Sequence, residues 1–194
     1  MVMNHFFAYI SRLRLIRRWG LMRNSYQENT QEHSWQVAVV AHALAVIQNR
    51  LYGGQVDANR VAVLALYHDA SETVTGDLPT PVKYANADIE RVFHALEAGA
   101  ADELLAKLPE DLQEDFRPLL LPEDSPEAEL VHIADKICAY LKCVEEVGSG
   151  NREFQVAYDA TAAKLAVYQE RPEVAYFMEH FVPSFSLTLD DLKK

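Results

Sequence analysis

The tandem His68-Asp69 ends the apolar run Val61 to Tyr67, and Glu72 follows three residues later. A second histidine, His33, and a second aspartate, Asp135, stand in two other apolar segments. A carboxylate in apolar surroundings is costly unless positive charge compensates it. Two imidazoles and two carboxylates brought from three helices make a mixed nitrogen–oxygen set for one divalent metal ion. The set is thiol-free and carboxylate-rich, unlike a structural zinc site, and it leaves positions open for water and substrate. The chemistry to expect of it is metal-assisted hydrolysis.

Glu72 lies four residues after His68 and three after Asp69, so a helix returns it to their face. There it can hold and deprotonate a water without itself binding metal. An ordinary surface Glu in the last turn of a helix would be disfavoured by the macrodipole. Asp77 follows Gly76 in a loop bounded by Pro79 and Pro81. A loop carboxylate is by default a turn-former, but nearness to Glu72 suits a second catalytic or sugar-contacting role. Taken singly, Asp69 would pair with an arginine, and Asp135 with Lys136 or Lys142. His5, His42, His94, His132 and His180 read as packing histidines with no chemical role. It is the convergence in apolar helices that favours the metal.

Charge narrows the ligand. The chain carries −11, yet residues 1–27 hold Arg12, Arg14, Arg17, Arg18 and Arg23 and no acid, which leaves −16 for the rest. An acidic surface argues against a nucleic-acid polymer, whereas a local arginine cluster suits a small anion such as phosphate. Arg12 and Arg14 individually read as a solvated face. No apolar stretch is long enough to span a bilayer, so no membrane partner is expected. Cys138 and Cys143 are five apart on one helix, not a CxxC pair, and are expected as free thiols of a reducing, cytoplasmic compartment. The apolar, Arg-rich N-terminus is followed by no small-residue cleavage site and is not expected to be a targeting peptide.

The elements that must position these residues are helical. Phe6, Tyr9, Ile10, Leu13 and Ile16 predict a first amphipathic helix ending near Trp19-Gly20. Asn29 and Glu32 predict a capping box opening a helix over 30–50, closed by Gly53-Gly54. Asp57 caps a helix over 58–74. Another follows at 86–107, and Pro109, Pro118 and Pro122 are expected to break the next segment into short pieces. Ser125-Pro126 opens a helix running to Gly148, with Pro at the first helical position. Two more fall at 152–170 and 173–181. No strand or repeat is apparent, so the expectation is one all-α domain over 1–194, a helical bundle with the metal site in its core.

The H…HD…D pattern of His33, His68-Asp69 and Asp135 resembles that of the HD-domain phosphohydrolases. The stretches HFFAYISRLRLIRRWGLMRN, EHSWQVAVVAHALA, YHDASETVTGDLPTPVKY, ADKICAYLKCVEEV and YFMEHFVPSFSLTLDDL look like the bacterial 5′-deoxynucleotidase family, over nearly the whole chain. The segment 85–130 is where the chain differs most. The resemblance implies removal of phosphate from deoxyribonucleoside 5′-monophosphates, preference for 2′-deoxy over ribo substrates, and a homodimer. It also implies one divalent metal per subunit, Co²⁺, Mn²⁺ or similar. Carried over position by position, the metal ligands are His33, His68, Asp69 and Asp135. Glu72 matches the catalytic carboxylate, and Arg18, Trp19 and Asp77 match substrate-site positions, with His33 also facing substrate.

On that basis Arg18 would grip the phosphate, Glu72 would accept the proton of the attacking water, and Asp77 or a metal-held water would protonate the leaving 5′ oxygen. Trp19 would form a flat wall beside the sugar, where a 2′ hydroxyl collides or loses hydration. Without the resemblance Trp19 reads as a core aromatic. The competing readings are an HD hydrolase of cyclic nucleotides, dNTPs or guanosine polyphosphates, a catalytically silent nucleotide-binding module, and a purely structural helical dimer. Intact Glu72 argues against the silent module.

Overall fold

The computed structural model describes residues 3–83 and 85–193, so Tyr84, which ends the GDLPTPVKY stretch, lies outside them. Helix α1 spans Phe6–Ile10, and α2 (Thr30–Leu51) is the spine of the fold. The Asn29 side chain accepts from the Glu32 amide at 3.0 Å while Glu32 accepts from the Asn29 amide, the capping box that the sequence predicts. Val37, Ala41 and Leu44, four and three residues apart, are fully buried on one face of α2. That face packs on α3 (Ala58–Tyr67) and on α8 (Pro126–Gly148), which bury Val61 and Leu64, and Ile133, Ile137 and Leu141. Each such side chain stabilises the contact by roughly 1.5–3 kcal/mol. The helices that carry His33 and Asp135, and the one that His68 follows, are therefore locked together by the main core.

Short helices α4 (Glu72–Thr75) and α5 (Thr80–Lys83) follow α3. Helices α6 (Ala87–Leu105) and α7 (Glu110–Leu120) then form a second cluster with α1, in which Phe6 and Leu104 are wholly buried and Phe6 meets Phe116 edge-on at 5.2 Å. Helices α9 (Gln155–Ala166) and α10 (Pro172–His180) pack against α8 and α2. The described residues contain no strand, only one isolated bridge, between Arg17 and Asn29. None of their helices is long and apolar enough to cross a membrane. Both cysteines are buried and free.

The helix expected over 152–170 is shorter, a 3₁₀ turn over Arg152–Phe154 followed by α9 over Gln155–Ala166, and three further differences have a local reason. The first helix stops at Ile10, and a 3₁₀ turn carries Ser11–Leu15. Beyond it the backbone bonds to the approach of α2, Thr30 N donating to Ile16 O at 3.0 Å and Arg18 N to Glu28 O at 3.1 Å. The left-handed residue is Trp19, at φ 56°, not Gly20. Second, α3 ends at Tyr67 rather than running to 74, because the His68 side chain takes the Ala65 carbonyl at 2.7 Å. In a continuing helix that carbonyl would accept from the amide of Asp69. Third, α7 is continuous through Pro118. A proline in the last turn removes a single backbone bond near a frayed end.

Candidate metal centre

His33 sits in the first turn of α2 with its imidazole wholly buried, and its Nε2 meets Asp135 Oδ1, from the middle of α8, at 2.9 Å. His68 follows the end of α3. Its Nδ1–H donates to the Ala65 carbonyl, which fixes the tautomer and leaves the Nε2 lone pair facing inward. That Nε2 is buried without an aligned hydrogen-bond partner, 3.1 Å from Asp69 Oδ2. His33, His68 and Asp135 each offer one ligand atom within 4.8 Å of one another, an arrangement able to hold a metal ion. Asp69 Oδ2 adjoins the trio, 3.8 Å from His33 Nε2, and is shared with Arg18 Nη1 at 3.4 Å. The orphaned imidazole nitrogen and the donor chemistry both fit a divalent cation.

Glu72 stands at the start of α4, not in the last turn of a long helix, so the macrodipole argument for it does not apply here. It reaches the site because the chain tightens after Tyr67, the amides of Ala70, Glu72 and Thr73 each bonding three residues back. Three residues per turn place Asp69 and Glu72 in line. Thr30 Oγ1 donates to Glu72 Oε2 at 2.9 Å. Burial, reinforced by the charges of Asp69 and Asp77, pushes the Glu72 carboxyl up to about 8, against the pull of Arg18 and of the Thr30 bond. Asp77 follows Gly76, whose φ of 73° turns the chain back. Burial and Asp69 raise the Asp77 carboxyl, while Arg18 opposes them.

The remaining charges show how much this centre wants a cation. Burial works against ionised Asp69 and Asp135, yet the imidazoles and Arg18 hold both well below the ordinary carboxylate range. His68 shows the converse. Burial would lower it, but Asp69 and Asp135 raise it to about 9, so the surroundings of this imidazole favour positive charge. Arg18 bridges Asp69 and Glu28. Trp19 is half-buried, its Nε1–H donating to Glu28 Oε2 at 3.1 Å and its ring 5.4 Å from that of Phe154. All of His33, His68, Asp69, Asp135, Glu72, Asp77, Arg18 and Trp19 thus gather in one region. Lys142 is not the partner of Asp135; it pairs with Glu146.

Sequence reasoning missed Glu28, Thr30 and Phe154. Glu28 is the first acid after a run of five arginines, a signal that could have marked it. Thr30 and Phe154 look like any helix-start threonine and any core aromatic, and carry no such signal.

The fold and the site define an HD-type phosphohydrolase. The HD-domain phosphohydrolase lin2634 of Listeria innocua superimposes with a TM-score of 0.82 at 26% identity, covering 98% of this chain and 92% of that one. The cyanophage S-2L HD phosphohydrolase DatZ, solved bound to dA and one catalytic Zn²⁺ ion, shares the fold with a TM-score of 0.62 at 20% identity, covering 91% of this chain and 96% of that one. The chain belongs to the 5′-deoxynucleotidase YfbR-like family, whose model matches residues 5–185. Among its relatives, 5′-deoxynucleotidase YfbR of Escherichia coli O127:H6 is 53% identical over 196 residues, covering 100% of this chain and 98% of the relative. The 5′-deoxynucleotidase VV1113 of Vibrio vulnificus is 52% identical over 191 residues, covering 97% and 98%.

Proposed function

We propose that this chain hydrolyses 2′-deoxyribonucleoside 5′-monophosphates to deoxynucleoside and phosphate, with one divalent metal ion per subunit, Co²⁺, Mn²⁺ or similar. The observation that carries the reading is the meeting of His33, His68 and Asp135 within 4.8 Å, beside the raised carboxyl of Glu72. Membership of a family whose named relatives are 5′-deoxynucleotidases supports the substrate class. His33, His68, Asp69 and Asp135 would hold the ion. When bound, it supplies Lewis-acid charge against the phosphoryl group.

The chain's own residues do the rest. Arg18 Nη1, now on Asp69, is placed to orient the phosphate with a charge-assisted bond. Glu72 takes a proton from the water that attacks phosphorus. As the bond from phosphorus to the 5′ oxygen breaks, that oxygen takes a proton from the Asp77 side of the site. The Trp19 ring walls the sugar.

The chain as one domain, its homodimer and its cytoplasmic location belong to the same proposal. Exposed Trp35, Val39 and Val46, four and seven residues apart on α2, support self-association. Two buried free thiols suit a reducing compartment. The test is phosphate release from a panel of deoxy- and ribonucleoside monophosphates with Mn²⁺ or Co²⁺, before and after chelation. Release from dAMP that exceeds release from AMP, and stops on chelation, is expected. Indifference to metal, or equal use of both sugars, overturns it.

A further inference from the structure

Three nitrogens from different parts of the site converge on one carboxylate. Glu28, 7% exposed, precedes the cap of α2. Its Oε1 faces His33 Nδ1 at 3.7 Å. Its Oε2 accepts from Trp19 Nε1–H at 3.1 Å and faces Arg18 Nε at 3.4 Å. His33 Nδ1 and Arg18 Nε are both buried without an aligned hydrogen bond, so Glu28 faces them as a charge rather than as a bonded acceptor. We infer that Glu28 is a positioning residue that joins the two halves of the site, orienting His33 for the metal and Trp19 with Arg18 for the nucleotide.

The argument is one of acceptor capacity. A carboxylate accepts on both oxygens, whereas a glutamine has one accepting oxygen and an NH₂ that only donates. Trp19 Nε1 and Arg18 Nε present N–H groups, and His33 Nδ1 does so once a metal takes Nε2. Glu28→Gln must therefore turn its NH₂ against either His33 or the Trp19–Arg18 pair. In this structure His33 Nε2–H donates to Asp135; with Nε2 given to a metal instead, the Glu28 carboxylate would hold the proton on Nδ1, as outer carboxylates do for metal-bound histidines. The same carboxylate also tethers a strained residue. Trp19 holds φ 56°, a conformation that persists in a bulky residue only when its surroundings enforce it. The bond to Glu28, the ring of Phe154 and the bond from Asn24 Nδ2 to the Trp19 carbonyl at 3.2 Å are those surroundings.

The nucleotide half of this inference rests on the proposed deoxynucleotidase activity; the metal half does not. The experiment compares wild type with the isosteric Glu28→Gln, after confirming that both melt cooperatively. Two quantities are read: Mn²⁺ affinity by titration calorimetry, and the ratio of kcat/KM for dAMP over AMP. The expected result is metal affinity down about 10–100-fold, together with a deoxy-to-ribo ratio lowered about five- to tenfold, the worth of one hydrogen bond. A variant that keeps either quantity at the wild-type value overturns the joint role. Glu28→Asp provides a second check, since its shorter stem cannot serve both sides. It must lose at least one quantity, and wild-type values for both would equally refute the inference. Should wild type release no phosphate from dAMP, the proposed function fails, and Glu28 is judged by metal affinity and Trp19 emission in a Trp35→Phe background. Both must then change in Glu28→Gln, and constancy of either is a refutation.

Discussion

Removing the Glu146 carboxylate should destabilise the protein more than any surface charge change, because it strands a buried ammonium. Lys142 and Glu146, one turn apart on α8, are 4% and 2% exposed. Glu146 Oε1 accepts from Lys142 Nζ at 2.5 Å and from Tyr26 N at 3.2 Å, while Oε2 accepts from Ser25 N at 2.9 Å and Asn151 Nδ2 at 2.8 Å. Lys142 also donates to the Tyr26 carbonyl, and its Nζ lies 5.6 Å from the centre of the Phe154 ring, on which Trp19 packs. Breaking such a buried pair from one side costs about 3–5 kcal/mol. For a chain of this size each kcal/mol moves Tm by roughly 2–4 °C, so Glu146→Ala should melt about 6–20 °C below wild type. Urea denaturation monitored by circular dichroism measures the free energy directly. Glu146→Gln keeps an acceptor and should fall between. The double variant Lys142→Met/Glu146→Leu removes both charges and should recover part of the loss. It cannot recover all, because the Ser25 and Tyr26 amides stay unpaired at about 1–3 kcal/mol each. A Glu146→Ala protein within about 1 kcal/mol of wild type would refute the view that this pair anchors Ser25 and Tyr26, in the segment that follows Trp19.

Other expectations bear on the site itself. Glu72→Gln should lower kcat on dAMP by about 10²–10⁴, the usual worth of a general base, with metal affinity little changed; near-normal turnover in the metal-loaded variant would disprove the assignment. Arg18→Ala should cut kcat/KM about 10–150-fold, the equivalent of a lost charged hydrogen bond of about 1.5–3 kcal/mol, and unchanged kinetics would remove it from the phosphate. Adding Mn²⁺ or Co²⁺ to chelated protein should raise Tm, since binding at about 100 times Kd stabilises by about 2.7 kcal/mol; Asp135→Asn should abolish most of that rise, and an identical rise in both proteins would count against Asp135 as a ligand. Without metal, Glu72 is raised to about 8 by burial, Asp69 and Asp77. The folded state then keeps a proton that the unfolded chain sheds near pH 4.5, so this stability is whole below that pH and declines as pH rises through 8. Melting chelated wild type and Glu72→Gln between pH 5 and pH 8.5 should show a falling difference, and a constant one would contradict it.

The elements that a sequence marks by strong local chemistry were legible without coordinates. Asn29 with Glu32, Asp57, and Ser125-Pro126 announce helix starts through side chains that bind their own backbone, and all three cap as expected. The apolar spacing of α2 and α8 likewise names the faces that pack. The trio able to hold a metal was legible because polar side chains in apolar segments are costly and therefore conspicuous. What local pattern could not reveal were the effects of competition between distant groups. The end of α3 was decided by His68 taking the Ala65 carbonyl, and the failure of helical structure to run past Leu15 by the pairing of residues 16–18 with 28–30.

The residues around the trio were settled only by the tertiary arrangement. Nothing in the order of residues says that Glu28 touches His33, Arg18 and Trp19 at once, or that Thr30 holds Glu72. Nor does it say that Glu72 opens a new helix after a tightened turn. The ionisation of these groups followed suit, for burial and neighbouring charge set whether a carboxyl sits near 2, as Asp69 does, or near 8, as Glu72 does. Residue type and spacing determined which side chains are able to bind metal and move protons. The three-dimensional packing decided which of them meet, and with what affinity for a proton, because both depend on distance and dielectric.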